Sequence, residues 1–369
     1  MDTSATRHLF TTVMIKIIAS HRFVTLKILI AAALMCLTGR TPLTGQDTGE
    51  GVGPYRTQTI ALNAGWNAVY LEVEPLESAP DALFDGTPIE IVASYFRPVT
   101  SMEYTESPSD FLGDRKSWSV WYAPERDDAI LSNLYAIQAH HCYLIYSESA
   151  YTWNLEGSPY FDAVTWHPNA HNLVGFPVDT ANAPTVANFF AGAEAQSGLK
   201  VYRMVNGRWV LITAPESTFM EAGKAYWTYA EGASVFTGPL QVEFKGSANG
   251  GIIYNESSGA RRVVFTNQSA FPQELSLSLR AGRTGLVPMG YLLTALDGPD
   301  GSVQIVTLDF PETLEIGPLE AGQSFAIDLV VQNSEISEAV MGSTLVITSD
   351  AGLIREIPIL TVRNDLLNQ

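Results

Sequence analysis

Cysteine is almost absent from this chain: only Cys36 and Cys142 occur in 369 residues. A disulfide-stapled scaffold is thereby excluded, and the fold must rest on a buried apolar core. Bases are scarce as well, 21 lysines and arginines against 39 acids. Five of those bases and one acid lie in residues 1–45, which leaves 16 against 38 beyond them, a net of −22. Such a surface repels phosphate backbones and speaks against nucleic acid as a partner. No Gly-x-Ser-x-Gly elbow, phosphate loop or Gly-x-Gly-x-x-Gly turn is present, so the familiar nucleophile and nucleotide motifs are missing. Charged residues make up 16% and hydrophobic ones 46%, which is the balance of a folded chain and not of a disordered one.

What is present at the start reads as an export leader. Arg22 and Lys27 precede an apolar run from Ile28 to Leu37, and Thr38, Gly39 and a Pro-containing stretch to Gly45 follow. That run is about half the ~20 residues a bilayer span requires, so no permanent anchor is expected. The basic region is long, and Met14 is an alternative start. Cys36 lies near the end of the apolar run, where a lipidation box would have its cysteine, but Met35 stands where that box has a small residue. Residues 1–45 are therefore taken as a signal peptide and 46–54 as a linker.

Beyond the leader the sequence is duplicated. Asn67-Ala68-Val69 is echoed by Asn172-Leu173-Val174, and Ala79-Pro80 by Ala183-Pro184. Trp118 with Ala123-Pro124-Glu125 recurs as Trp209 with Ala214-Pro215-Glu216, and Tyr143-Leu144-Ile145 as Tyr226-Trp227-Thr228. Landmarks in one order mark two copies, 55–164 and 165–240, the first lengthened around 101–115. The copies are free to be separate small domains or to share a core. Each reads as strands with one short helix, for which Pro184 is suited to the first position. Asn206-Gly207 between two apolar runs predicts a two-residue hairpin.

Residues 241–369 read differently. All seven tryptophans lie before Leu240, which predicts two cores of different packing chemistry. Val263-Val264-Phe265-Thr266, Leu275 to Leu279, Phe325 to Val331 and Leu345 to Thr348 have strand character. Asp297 to Gly301 and Ser349 to Gly352 have turn composition. The fold class expected is all-β with minor short helices: two related β-rich repeats plus a C-terminal immunoglobulin-like sandwich.

Gly65-Trp66-Asn67-Ala68-Val69 opens the first copy and Gly223-Lys224-Ala225-Tyr226-Trp227 closes the second. These motifs resemble a module of large exported bacterial surface proteins, which opens with a Gly-Trp-Asn-Leu-Val-type strand and closes with a Gly-x-Tyr-Trp-type strand. His171 replaces the opening Trp of the second copy, and His141-Cys142-Tyr143-Leu144 departs from the closing motif of the first. The resemblance covers about 65–240 and implies company with adhesion or sugar-binding domains, with no chemistry assigned to residues. Phe265-Thr266-Asn267-Gln268-Ser269 and Pro318 to Ser324 resemble the immunoglobulin-like sandwiches of the abnormal-spindle/hydin type, which implies a structural or interaction module.

Candidate sites are few. His140 and His141, read as neighbours on a strand, would point to opposite faces, and Pro168 to Ala170 break any helix between His167 and His171. Asp297, Asp300 and Ser302 lack the carboxylate count of a calcium loop. No metal or cofactor is expected. Cys142 sits in a strand pattern as a small buried hydrophobe. Trp118 and Trp209 match between copies, as core anchors do, whereas Trp121, Trp153 and Trp166 lack a counterpart and are the candidates for an exposed platform stacking on sugar rings. Trp121 lies three residues past Trp118, on the opposite face of the same strand, where the second copy has Ile212; it is expected to be the more exposed of the two.

The chain is thus expected to be a secreted or cell-surface, non-catalytic interaction or structural protein whose partner is an extracellular protein or glycan. Carbohydrate binding through the tryptophans is the alternative, and a glycan-acting enzyme with paired carboxylates is third. Intact-mass measurement and N-terminal sequencing of the exported protein should place its first residue just after Gly39 or Gly45. A terminus before Ala33 would refute the leader as drawn.

Overall fold

A computed structural model describes residues 53–95, 118–244, 247–248, 250–297 and 302–363. The leader, most of the linker, the insertion around 101–115 and the turn at 298–301 lie outside the described residues. Strands account for 52% and helices for 6%, so the chain is all-β. Glu50–Gln369 forms one compact unit.

The first copy supplies β1 (Arg56–Leu62), β2 (Gly65–Tyr70), β3 (Val73–Pro75), the one-turn helix α1 (Pro80–Leu83), β4 (Ile89–Tyr95), β5 (Trp118–Tyr122), β6 (Cys142–Ser147) and β7 (Tyr151–Pro159). The second supplies β8 (Ala170–Gly175), α2 (Val186–Phe189), β9 (Val201–Val205), β10 (Arg208–Leu211) and β11 (Ala225–Ala230). The four-stranded sheet of the first is ordered β2-β6-β4-β5, and that of the second β8-β11-β9-β10. In chain order both run first strand, helix, hairpin pair, closing strand, so the two sheets have one topology.

The same side chains hold the same joints in both. Asn67 and Asn172, each third in its opening strand, are buried. Asn67 Oδ1 accepts from the Asn63 N–H at 2.9 Å, and its Nδ2 donates to the carbonyls of Asn63 and Gly65 at 2.9 Å. Asn172 repeats this with the His167 N–H at 2.8 Å and the carbonyls of His167 and Ala170 at 3.2 and 3.0 Å. Tyr143 and Tyr226, each second in its closing strand, accept the backbone N–H five residues earlier, from Gln138 and Glu221, at 2.9 Å. A buried amide or phenol is retained because it satisfies backbone groups that would otherwise lose water without compensation.

Asn206 and Gly207 form the hairpin turn between β9 and β10, both with positive φ (49° and 74°), as a type I′ turn requires. The helix of the second copy begins two residues later than expected, at Val186. Thr185 is its cap, accepting the Asn188 N–H at 3.2 Å, and Pro184 precedes the cap. In the first copy Pro80 does take the opening position.

The sandwich follows without a break. Sheet β12-β15-β20-β17-β18 and sheet β13-β14-β22-β21-β16-β19 are built from β12 (Leu240–Phe244), β13 (Ser247–Ala248), β14 (Gly251–Asn255), β15 (Arg261–Asn267), β16 (Gln273–Ala281), β17 (Met289–Asp297), β18 (Ser302–Asp309), β19 (Thr313–Leu319), β20 (Ser324–Val331), β21 (Val340–Ser349) and β22 (Ile354–Val362). Among the described ladders only β14–β22 is parallel.

Packing decides one open question and overturns one expectation. The repeats share a core: Ala68, Tyr70, Trp118 and Leu144 of the first form one cluster with Trp209, Ala225 and Trp227 of the second. Gly175 permits the approach, since a Cβ there would lie 2.1 Å from the Tyr70 ring. The composition change near Leu240 does not divide cores either. Phe176, Val186, Phe189 and Phe190 of the second repeat belong to the same cluster as Phe265, Leu277, Leu345 and Ile357 of the sandwich. Gly192 allows that joint, because a Cβ would meet the Gln268 carbonyl at 1.7 Å.

The outer face of β2-β6-β4-β5 packs on the three-stranded sheet β1-β7-β3 and on Phe84, which follows α1. This sheet is therefore buried on both faces, which corrects the reading of Trp121. Alternation does send Trp118 and Trp121 to opposite faces, but both faces are covered and the two are 4% and 3% exposed. Trp121 packs on Phe84 and donates Nε1–H to Asp81 at 2.6 Å. Trp153 is buried beside it, and Trp166 is buried in the sandwich-side core, donating to the Phe236 carbonyl at 2.6 Å. None of the three is a surface platform. Replacing Trp118 or Trp121 by Ala should each cost about 3–5 kcal/mol in urea unfolding, and an unchanged midpoint for Trp121→Ala would contradict the double burial.

Candidate functional site

Two of the clefts among the described residues bring together histidine, carboxylate or exposed aromatic side chains. The larger, about 610 Å³, lies where the two repeats meet and is lined by Tyr70, Glu74, His140, His141, Tyr160 and Asp162 among others. His140 is at its back. Counting from the strand starts Cys142 and Ala225, His140 occupies the place of Gly223 in the second copy, and both have left-handed backbones (φ 57° and 68°). Glycine adopts that conformation freely; histidine does so at a cost. Each neighbour in the joint explains why it is tolerated. His140 Nε2 lies 2.6 Å from the Tyr160 carbonyl, which can only accept, so Nε2 carries the proton and Nδ1 accepts from the Tyr70 hydroxyl at 3.1 Å. The sequence expectation of two histidines on a strand is corrected, since His140 and His141 precede β6 in a turn.

Burial pushes the His140 imidazole down to about 4 and raises the Tyr70 phenol and the Cys142 thiol above their usual ranges. The cleft also carries two carboxylates, each already accepting a backbone N–H: Glu74 from Ala139 and Asp162 from Ala163, both at 2.7 Å. Its polar groups are committed to holding the joint. His171 is packed between Tyr202 and Tyr229, and burial together with Lys200 lowers its pKa. No group of three or more metal-ligating side chains converges among the described residues.

The second cleft, about 370 Å³, opens between the second repeat and the sandwich. Its walls carry Phe219 and Phe271, 58% and 55% exposed, in a region whose other phenylalanines (Phe176, Phe189, Phe190, Phe236) are buried. The phenyl groups stand out because both sit in loops: Phe219 follows the Ala214-Pro215-Glu216 turn, and Phe271 precedes Pro272. Between them lie Pro184, Asn188 and Asp350. The Asp350 loop is clamped, with its Oδ1 accepting the Glu274 N–H at 3.0 Å and its carbonyl accepting from Asn182 Nδ2 at 3.0 Å. Exposed aromatic faces beside oriented amide and carboxylate groups suit a ligand with both apolar and hydrogen-bonding surface. Sequence reasoning passed over both residues because it favoured tryptophans. The available signal was a large apolar residue inside turn composition, where no strand alternation accounts for it.

No protein-family model matches the chain, and no curated protein matches it. Solved structures similar to it include the periplasmic chaperone SfaE, at 10% identity over 34% of this chain with a TM-score of 0.22, and the E. coli chaperone DraB with the same three values. The chain spans 58% and 56% of those two chaperones. At such values the likeness carries no argument about fold, activity or partners.

The depressed imidazole gives a pH signature. An unfolded histidine titrates near 6.5 and His140 near 4, so above pH 6.5 neither state binds the proton and the folded state is at full strength. As pH falls from about 6.5 towards 4 the unfolded chain gains a proton the folded chain refuses, and up to about 3 kcal/mol is lost. His140→Gly, the residue of the second copy, should flatten that part of the unfolding free energy against pH. An unaltered slope would contradict the assignment.

Proposed function

We propose that the chain is an exported, non-catalytic interaction protein that grips an extracellular protein partner in the cleft between its second repeat and its sandwich. The export half of this reading rests on the leader composition of residues 1–45. The observation that carries the binding half is the pair of exposed phenylalanines, Phe219 and Phe271, on the walls of one cleft. Large aromatic side chains that folding leaves half out of water are the groups that anchor protein interfaces. The surrounding chemistry favours holding over turnover. Asp350 is the carboxylate lining this cleft, where glycosidic hydrolysis uses two. In the larger cleft both nitrogens of His140 are occupied by structural bonds, and its displaced pKa leaves it a poor base at neutral pH.

A displayed peptide library selected on the purified protein tests this directly, with an array of defined glycans run in parallel. Phe219→Ala and Phe271→Ala should each weaken a selected peptide at least about tenfold, the loss expected of an interface anchor. Both residues are exposed, so the folded stability should hold within about 0.5 kcal/mol. Glycan binding that depends on the same pair would replace the protein partner by a carbohydrate. Ligands indifferent to both substitutions would remove the cleft as the site.

A further inference from the structure

The cleft between the second repeat and the sandwich is chemically one-sided. Among the described residues Asp350 is the charged one on its walls, and no lysine or arginine lines it. Pro184 and Pro272, also on the walls, have no N–H to offer. Most side-chain donors are already engaged. Asn182 Nδ2 donates to the Asp350 carbonyl at 3.0 Å, and Ser269 Oγ donates to the Phe271 carbonyl at 2.7 Å. Gln273 Nε2 donates to the Pro239 carbonyl at 2.9 Å and to Asn267 Oδ1 at 2.6 Å. A carbonyl can only accept, so the Gln273 amide is fixed in that orientation. The Thr185 hydroxyl and the exposed Asn188 amide remain, and both are neutral.

Acceptors, by contrast, are in excess. Asp350 commits Oδ1 to the Glu274 N–H at 3.0 Å, and no donor among the described residues meets its other oxygen. Gln273 is 1% exposed, and its Oε1 is buried without a hydrogen-bond partner. A buried acceptor left unpaired is costly, and a ligand donor, or a water that the ligand holds in place, relieves that cost. The aromatic walls are fixed before any ligand arrives. On either side of Phe219, the Thr218 carbonyl accepts from the Val186 N–H and the Met220 N–H donates to the Pro184 carbonyl, both at 2.8 Å. The Ser269 bond likewise ties down the loop that carries Phe271. Rings held in this way lose little freedom on binding.

We propose that this cleft takes a lysine or arginine side chain of the partner, set against Asp350, with the partner's neighbouring apolar groups on Phe219 and Phe271. The inference rests on the cleft being the partner site and adds the chemistry of what fills it. An ammonium or guanidinium group brings donors and no acceptor, which complements walls with acceptors in excess. Its bond to the carboxylate is charge-assisted and therefore stronger than a neutral one. Its methylene stem packs on apolar surface, and phenyl faces attract the cation itself. An anionic group would meet a carboxylate there and no base. The net of −22 beyond residue 45 acts in the same direction, since it draws basic segments towards the chain.

The test is selection of random linear peptides displayed on phage against the purified protein, with the enriched sequences then synthesised. Those sequences should carry a lysine or arginine beside apolar residues. Asp350→Asn keeps an oxygen for the Glu274 N–H, and it should weaken such a peptide about tenfold, as loss of a hydrogen bond to a charged group does. Replacing the peptide's base by glutamine should do the same. The two changes together should weaken binding little more than either alone, because they remove the two ends of one contact. Glu148→Gln, at an exposed acid of the first repeat, should leave the affinity unchanged. Peptides that need Phe219 and Phe271 but carry no base, or that bind Asp350→Asn as tightly, overturn the basic side chain and leave the cleft as the site. Equal weakening by Glu148→Gln overturns it as well, in favour of attraction to the acidic surface at large. Peptides indifferent to Phe219→Ala and Phe271→Ala, or no enrichment at all, overturn the partner site and this inference with it.

Discussion

Burial of β2-β6-β4-β5 on both faces is the constraint on which the first half of the molecule depends. One face meets the second repeat through Tyr70, Trp118 and Leu144, and the other meets β1-β7-β3 through Val69, Val92 and Trp121. A strand covered on one side alternates apolar and polar residues, whereas β2 ends in four consecutive buried ones, Asn67 to Tyr70. Each large apolar side chain taken out of water contributes about 1.5–3 kcal/mol, and here both faces contribute. The polar exception in that run, Asn67, is buried because its amide holds the chain entering the strand. An ion network ties the sandwich to this assembly. Arg56 bridges Glu72 at 2.7 Å and Glu356 at 2.5 Å, and Arg280 joins Glu356 at 2.8 Å. Removing one member would strand buried charge, which is why such networks lock relative position more than they add net stability.

Duplication gave two sheets of one topology, but their surroundings differ, and the differences locate the clefts. The first copy covers its outer face with a small sheet of its own. The second has Phe176, Phe189 and Phe190 there and borrows the sandwich. The borrowed contact leaves an opening between α2 and the loop at Asp350, where Phe219 and Phe271 stand. At the joint between the copies, Gly223 in one and His140 in the other adopt the same backbone, and only the histidine adds bonds to Tyr70 and Tyr160. Both features are products of asymmetry between copies, not of the repeated pattern itself.

Glu74, Asp162 and both ring nitrogens of His140 in the larger cleft are hydrogen-bonded, while Phe219 and Phe271 stand exposed on the walls of the smaller one. Among the described residues no helix is long and apolar enough to cross a membrane.

Much of the fold is legible in the sequence of residues 65–240 itself. Local chemistry explains this: Asn206-Gly207 codes for one turn geometry, and Asn67 with Asn172 or Tyr143 with Tyr226 recur because each joint needs the same hydrogen bond. The four C-terminal strands read from alternation, at 263–266, 275–279, 325–331 and 345–348, all lie within observed strands. What alternation reports is which side chains share a face; it is silent about what covers that face. Trp121 does face away from Trp118, but not into solvent, since the covering sheet β1-β7-β3 comes from residues up to 65 positions away in the chain. The same limit hid Phe219 and Phe271, whose cleft exists only because the second repeat packs on the sandwich. Sequence by itself determined the strands, their turns and the kinship of the two copies, because those depend on neighbours within a few residues. Tertiary structure alone decided which aromatic residues are buried and which stay exposed, because exposure is a property of how distant layers stack.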